Sequence, residues 1–109
     1  MKEELQDLID LLHERKCSCV LRNGEIYTFE RRGVEDLYDL LREQPGLLLG
    51  ADVADKVVGK GAAALMVLGR VRRVYADVLS EPAYGLLFQT GISVSYGRLV
   101  RRRQKNACR

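Results

Sequence analysis

The fold is decided by residues Ala54 to Ala83, which read ADKVVGKGAAALMVLGRVRRVYADVLSEPA. The segment 51–69 around its first half is rich in Ala, Leu and Met, which favour helices, so we predict a central helix beginning near Asp52. Apolar residues occupy more than one face of that helix, as expected for a helix covered on two sides. Gly59 and Gly61 would lie inside it, where we favour a tight helix–sheet contact over a close approach of a ligand.

Downstream of this segment the pattern predicts a strand, a helix and a second strand. Residues 71–79 alternate as in a strand, and residues 92–96 form another strand-like run. Between them, Ser80 is a suitable N-cap and Pro82 suits the first turn of a helix ending near residue 90. Strands joined by a helical crossover are parallel, so we expect a parallel pair.

Upstream, the sequence predicts a helix, a hairpin and a second helix. Residues 2–15 carry leucines and an isoleucine at helical spacing, and Asn23-Gly24 separates two strand-like runs, which indicates a hairpin. The second helix follows Gly33 and ends at Pro45-Gly46. The predicted fold class is therefore α/β: a three-layer α/β/α sandwich with a mixed sheet, forming a single domain over residues 1–100, followed by a basic tail over 101–109.

Composition narrows the function classes. The chain has 109 residues, enough for one domain, and no apolar run long enough to span a membrane. The N-terminus, Met1-Lys2-Glu3-Glu4, does not resemble a signal peptide, so we expect a cytoplasmic protein with no membrane partner. The net charge of +3 comes mainly from the basic tail, which has no interleaved aromatic residue, so we do not expect nucleic acid as the partner. Exposed sheet edges favour a homodimer.

The 3 cysteines are too few for a disulfide scaffold. Cys17 and Cys19 are two residues apart and would point the same way on a strand. Zinc would need two further ligands, and the other candidates, His13 and Cys108, lie at opposite ends of the chain. We therefore expect no metal, interpret Cys17 and Cys19 as packed small hydrophobes, and expect His13 to be exposed and uninvolved.

The order of these elements, together with residues 54–83, resembles a small uncharacterised bacterial family, a domain of unknown function in the cytidine-deaminase-like superfamily. The resemblance extends from the first helix to about Val100 and implies a cytidine-deaminase-like fold. It implies no activity, because the family has none established.

What the resemblance implies about chemistry depends on two motifs. A zinc deaminase carries a His or Cys ligand two residues before a catalytic Glu at the start of the central helix, and Pro-Cys-x-x-Cys at the start of the next helix. The corresponding stretches here read Gly59-Lys60-Gly61-Ala62-Ala63 and Glu81-Pro82-Ala83-Tyr84-Gly85-Leu86, which contain neither the zinc ligands nor the helix acid. We therefore predict no catalytic residues, no cofactor and no zinc-dependent deamination.

A ligand pocket without a metal is the remaining expectation. Ligands of α/β sheets gather at the carboxyl ends of parallel strands and the amino ends of helices. With a helix from Asp52, Lys56 and Lys60 would lie one turn apart and suit a phosphate or carboxylate; the alternative is that both are ordinary surface lysines. The candidate ligand-binding residues are Asp55, Lys56, Gly59, Lys60, Gly61, Ser80 and Glu81.

The leading hypothesis is thus a catalytically silent domain that binds a small nucleotide-like or anionic ligand. Two alternatives stay open. One is an enzyme of different chemistry that uses Cys108, a thiol among basic residues, or Lys60. The other is a protein or nucleic-acid interaction module that uses the basic tail.

Overall fold

The computed structural model describes residues 5–31 and 34–101. In chain order its elements are α1 (Leu5–Glu14), β1 (Cys19–Asn23), β2 (Glu25–Phe29), α2 (Glu35–Glu43), α3 (Pro45–Leu48), β3 (Asp52–Val58), α4 (Lys60–Gly69), β4 (Arg73–Ser80), α5 (Glu81–Gln89) and β5 (Ser93–Val100). The strands form one five-stranded sheet in the order β2-β1-β3-β4-β5.

The sheet is mixed, as predicted. Strands β1 and β2 form the antiparallel hairpin, in which Asn23 pairs with Glu25 around Gly24. Gly24 has a φ of 83°, a left-handed conformation that glycine adopts without strain. Strand β1 also pairs antiparallel with β3, whereas β3, β4 and β5 are mutually parallel. The predicted parallel pair of strands is confirmed as β4 and β5.

The predicted helix over residues 51–69 is wrong in its first half. Asp52–Val58 is a strand, β3, at the centre of the sheet, and the helix α4 begins only at Lys60. The backbone of Gly59, with φ −103° and ψ −174°, is extended and separates the two elements. Val53, Val57 and Val58 favour a strand, and β3 gains hydrogen-bonded partners on both sides, which outweighs the helix propensity of the neighbouring Ala-rich segment.

Helices cover both faces of the sheet, which confirms the α/β/α layering. On one face, α1 packs Leu8 and Leu12 against Val20 and Ala54. On the other face, α2, α4 and α5 enclose the larger core with residues such as Met66. Helix α4 lies in the middle of this layer, in contact with both α2 and α5.

The two cysteines of the first strand region are both buried, but the prediction that they point the same way is wrong. Cys17 packs in the smaller cluster beneath α1, whereas Cys19 packs in the larger core on the opposite face. The strand begins only at Cys19, and a bend at Ser18 breaks the alternation. Both thiols are free.

None of the helices within the described residues has the length and apolar character needed to cross a membrane.

Candidate functional site

A cavity of about 840 Å³ lies at the carboxyl ends of the central strands β3 and β4. It is bounded by the first residues of α4 and by the amino end of α2. Its volume is within the range of small-molecule binding sites. The lining residues are Ser18, Val34, Asp55, Lys56, Val57, Gly59, Lys60, Gly61, Ala62, Ser80 and Pro82.

Six of the seven sequence-predicted site residues line this cavity, namely Asp55, Lys56, Gly59, Lys60, Gly61 and Ser80. The seventh, Glu81, is the first residue of α5; it is exposed and is not among the described residues that line the cavity. The site was predicted because ligands of α/β sheets gather at the carboxyl ends of parallel strands. The cavity lies in that same region.

The geometry expected for the two lysines is wrong. Lys56 is in strand β3 and Lys60 is the first residue of α4, so they are not one turn apart on a helix. Both are exposed and both line the cavity, because the chain turns at Gly59 from the strand into the helix. They bring positive charge to the cavity from two different elements.

The amino end of α4 presents backbone N–H groups to the cavity. Gly59 is the N-cap residue, and no side chain from the described residues caps this helix. The first N–H to find an intrahelical acceptor is that of Ala63, which donates to the carbonyl of Gly59 at 3.0 Å. The N–H groups of Lys60, Gly61 and Ala62 precede it, and such groups favour anions.

The interpretation of Gly59 and Gly61 as a tight helix–sheet contact is also wrong. A Cβ at Gly59 would meet no atom within 4 Å, and one at Gly61 would meet only Val34 Cγ1, at an ordinary 3.8 Å. Because both residues line the cavity, their missing side chains enlarge it.

The next helix, α5, differs in that a side chain caps its amino end. The Oγ of Ser80 accepts a hydrogen bond of 3.2 Å from the N–H of Ala83, and Pro82 lies in the first turn. This confirms the predicted N-cap. Ser80 is buried and lines the cavity, but its hydroxyl oxygen is already engaged with the helix.

Asp55 is the buried acid of the site, with 6% of its surface exposed. Burial is the largest influence on its carboxyl and raises the pKa to about 7. The backbone N–H groups of Val57 and Lys56 and the thiol of Cys19 donate hydrogen bonds that oppose this rise, whereas the Asp77 carboxylate adds to it. Near neutral pH the group therefore exists in both protonation states.

Cys19 faces Asp55 across the pairing of β1 with β3. Burial raises the pKa of its thiol well above the ordinary value, and the neighbouring Asp55 carboxyl raises it further. The thiol therefore stays protonated near neutral pH and serves as a hydrogen-bond donor rather than as a nucleophile.

Five lining residues were missed by the sequence analysis: Ser18, Val34, Val57, Ala62 and Pro82. The position of Val57 and Ala62 beside the cavity could be predicted once β3 is recognised as a strand, because the boundary between strand and helix then falls at Gly59. A valine-rich run followed by glycine was the available signal. Ser18 and Val34 come from distant parts of the chain, and no local pattern predicts their position.

Two polar clusters lie outside the cavity. The buried Asp52 carboxylate accepts hydrogen bonds from the guanidinium groups of Arg22, Arg72 and Arg73. On the α1 side, His13 was expected to be uninvolved, but its Nε2 lies 2.7 Å from Asp77 Oδ1. The same oxygen accepts a 2.7 Å hydrogen bond from the hydroxyl of Tyr75.

The described residues contain no group of three or more His, Cys, Asp or Glu side chains that could hold a metal ion. Cys108 and nearly all of the basic tail fall beyond residue 101 and so lie outside the described residues.

The sequence is similar to a family of proteins that is described as a domain of unknown function. A family model described as TM1506, a domain of unknown function (DUF1893), matches residues 7–108. The crystal structure of a DUF1893 family protein (TM1506) from Thermotoga maritima is similar, with a TM-score of 0.80 at 25% sequence identity, over 93% of this chain and 70% of that chain. No curated protein matches the sequence.

A more distant structure shares the fold. Acinetobacter baumannii RibD is similar with a TM-score of 0.54 at 16% sequence identity, over 85% of this chain but only 34% of that chain. At this identity the likeness concerns the fold alone. It is consistent with the predicted α/β sandwich.

Proposed function

Since this chain belongs to the DUF1893 family, a domain of unknown function, we propose from its own residues that it binds a small anionic or nucleotide-like ligand without catalysing a reaction. The observation that carries the proposal is the cavity at the ends of β3 and β4, which combines two lysines with the uncapped amino end of α4. Positive side chains and helix N–H groups facing one cavity are the means by which proteins bind phosphate and carboxylate groups.

The lining of the cavity supports a ligand that has an apolar part as well as a charged one. Val34, Val57, Ala62 and Pro82 contribute apolar surface beside the lysines. A nucleotide combines these properties, because its base is flat and largely apolar on its faces while its phosphate is anionic. The volume of about 840 Å³ is sufficient for a ligand of that size.

The motif positions support a domain without deaminase chemistry. We propose that the fold is cytidine-deaminase-like, which the likeness to RibD supports. At the position of the first deaminase motif, the start of α4, this chain has Gly59-Lys60-Gly61. At the position of the second motif, the first turn of α5, it has Ala83. These residues provide neither a thiolate or imidazole for zinc nor a carboxylate to move a proton, so the resemblance leaves a pocket and not a catalytic centre.

We also propose a cytoplasmic location. The free, buried thiols of Cys17 and Cys19 suit a reducing compartment.

A thermal-shift screen tests the proposed function. Adenosine, AMP, inorganic phosphate and a simple carboxylate are each added at about 1 mM, with and without zinc. A ligand whose Kd is on the order of 10 μM stabilises the protein by about 2.7 kcal/mol, which corresponds to roughly 10 °C in Tm for a domain of this size. We expect AMP to raise the Tm more than adenosine does, independently of zinc. No shift from any of these compounds would contradict the proposal.

A further inference from the structure

Asp55 presents a problem for the binding of an anion. It lines the same cavity as Lys56 and Lys60, yet it is itself an acid. A carboxylate beside a bound phosphate would repel it, and with 6% of its surface exposed, Asp55 has little water to screen that repulsion. The protonated form has no charge and can donate one hydrogen bond.

Burial is the main reason why Asp55 favours its neutral form, and its neighbours act in both directions. Lys56 of β3 and Lys60 of α4 line the cavity with Asp55, and Cys19 of β1 lies opposite it in the sheet. Two acids lie farther away: Asp77 of β4, on the α1 side, acts on Asp55, and Asp36 of α2 acts on the Cys19 thiol. The Asp77 carboxylate disfavours a negative charge on Asp55, whereas the hydrogen bonds from Cys19 and from the backbone favour one. The two lysines are exposed, so water screens their support for a carboxylate.

We propose that Asp55 contacts the anionic group of the ligand as a neutral carboxylic acid, so that binding of the ligand takes up a proton. This inference rests on the proposed function and names a residue that regulates the same site by pH. The Asp55 hydroxyl donates a hydrogen bond to an oxygen of the anion, while Lys56 and Lys60 supply the charge. Deprotonation of Asp55 removes the donor and adds a repelling charge, so affinity decreases as the pH rises.

The value of the Asp55 pKa, about 7, places this change within the physiological range. Below it, the acid is already protonated and binding carries no cost. Above it, each binding event must first protonate Asp55, so affinity falls about tenfold for each further pH unit.

The test compares the wild-type protein with Asp55→Asn, which keeps the shape and a hydrogen-bond donor but does not titrate. Affinity for AMP is measured by calorimetry from about pH 5.5 to 8.5. The ratio of the two affinities at each pH removes the contribution of the phosphate's own ionisation. We expect equal affinities at the acidic end and a variant that binds about 30-fold more tightly than wild type at about pH 8.5.

Glu81→Gln is the matched control, because it also converts an acid to an amide at the same end of the sheet. Glu81 is exposed and is not among the described residues that line the cavity. The control should keep the pH dependence of the wild type. Thermal unfolding of each variant shows whether it is folded before binding is compared.

The outcomes separate this inference from the proposed function. A ratio that stays constant across the pH range shows that Asp55 is not coupled to the ligand and overturns the inference alone. Weaker binding by Asp55→Asn at alkaline pH means that the carboxylate accepts a hydrogen bond from the ligand, and it also overturns the inference. Absence of AMP and phosphate binding in both proteins at every pH overturns the proposed function, and the inference with it.

A second measurement does not depend on the variant. The carboxyl carbon of Asp55 in the wild-type protein is followed by NMR across the same pH range, with and without AMP. We expect AMP to move the midpoint to higher pH, because the ligand binds the protonated form more tightly. A midpoint that AMP leaves unchanged or lowers contradicts the inference.

Discussion

Asp55 and Lys60 line one cavity, the first from the middle of the central strand β3 and the second as the first residue of helix α4. The pair combines a buried acid with an exposed cation, separated along the chain by the turn at Gly59. In α/β folds this junction, where a parallel strand passes into a helix, is the usual place for an anionic ligand. The proposed binding of an anion depends on that junction.

Lys60→Ala should weaken AMP binding without unfolding the protein. A charge-assisted hydrogen bond contributes about 1.5–3 kcal/mol, so we expect a loss of at least about tenfold in affinity. The Tm without ligand should change little, because Lys60 is exposed and alanine favours the helix. Lys16→Ala is the control: Lys16 is also exposed but is not among the described residues lining the cavity. Equal affinities in the two variants would remove Lys60 from the site.

Gly59→Leu should block the cavity while leaving the fold intact. The φ of −103° is accessible to leucine, and a Cβ there meets no atom within 4 Å. The new side chain occupies space that the ligand needs, so AMP binding should be lost while the Tm without ligand changes by only a few degrees. Gly85→Leu, in α5 and away from the described lining, introduces the same side chain and should leave binding unchanged. Undiminished AMP binding by Gly59→Leu would place the ligand elsewhere.

Asp55 should make the protein less stable as the pH rises. Its pKa is about 7 in the folded state and 3.8 as the ordinary value, so the folded state holds the proton more tightly. Its contribution to stability is therefore fully present below about pH 4 and is lost as the pH rises through about 7, by at most about 4 kcal/mol. Chemical denaturation across this range should show that loss in the wild type and a flatter profile in Asp55→Asn. Parallel profiles would contradict the prediction.

Asp52 should make the protein less stable as the pH falls, which is the opposite of the effect of Asp55. Burial acts to raise the pKa of its carboxyl, but hydrogen bonds from Arg73 and Arg72 outweigh burial and hold that pKa well below the usual range. Its contribution to stability is therefore present above about pH 4 and is lost as the pH falls further. Asp52→Asn should cost about 3 kcal/mol of unfolding free energy at neutral pH, because it removes the buried carboxylate that binds three arginines.

The control for this prediction is Asp39→Asn. Asp39 pairs with Arg31 and Arg42 at the surface, where its side chain is 42% exposed. Surface ion pairs contribute about 0–1 kcal/mol, so this change should be small. Equal losses in the two variants, measured by chemical denaturation, would show that the buried position of Asp52 confers no special stability.

The expected homodimer leads to a prediction at the edge of the sheet. Strand β5 is the last strand in the sheet order and carries one charged residue, Arg98, and no proline. Beside it, Phe88 is 65% exposed and stacks on Tyr84, which meets Tyr96 edge to face. A sheet edge beside exposed rings suits pairing with a second copy about a two-fold axis. We propose this edge as the dimer contact.

Phe88→Asp should therefore convert a dimer to a monomer in sedimentation velocity, with little change in the stability of the monomer. Leu68→Asp is the control, because Leu68 is equally exposed, at 65%, on a different helix. A monomeric wild-type protein, or a Phe88→Asp variant that stays dimeric, would contradict this assignment.

Most of the layering could be predicted from the sequence, and the central strand could not. The hairpin at Asn23-Gly24 and the helix cap at Ser80 depend on local backbone chemistry, which the sequence displays directly. Strand β3 is buried on both sides and does not alternate, so its valines read as part of the apolar helix that follows. The bend at Ser18, which separates Cys17 from Cys19, is set by tertiary contacts.

The candidate site could be predicted even though β3 was wrongly predicted as helix. Whether residues 52–58 form helix or strand, Asp55 and Lys60 remain near the carboxyl ends of the parallel strands. Their relation to each other, and the burial of Asp55, depend on the position of β3 at the centre of the sheet. Those properties come from packing among distant segments and have no local signal.

The binding site itself is tested most directly by following backbone amide signals in NMR spectra while AMP is added. If AMP binds in the cavity, the signals of Gly59, Lys60 and Gly61 will move in a saturable manner, together with that of Ser80. Signals of α1, on the opposite face of the sheet, will not move. Unchanged spectra at millimolar AMP, or changes confined to residues away from the end of β3, would show that AMP does not bind in this cavity.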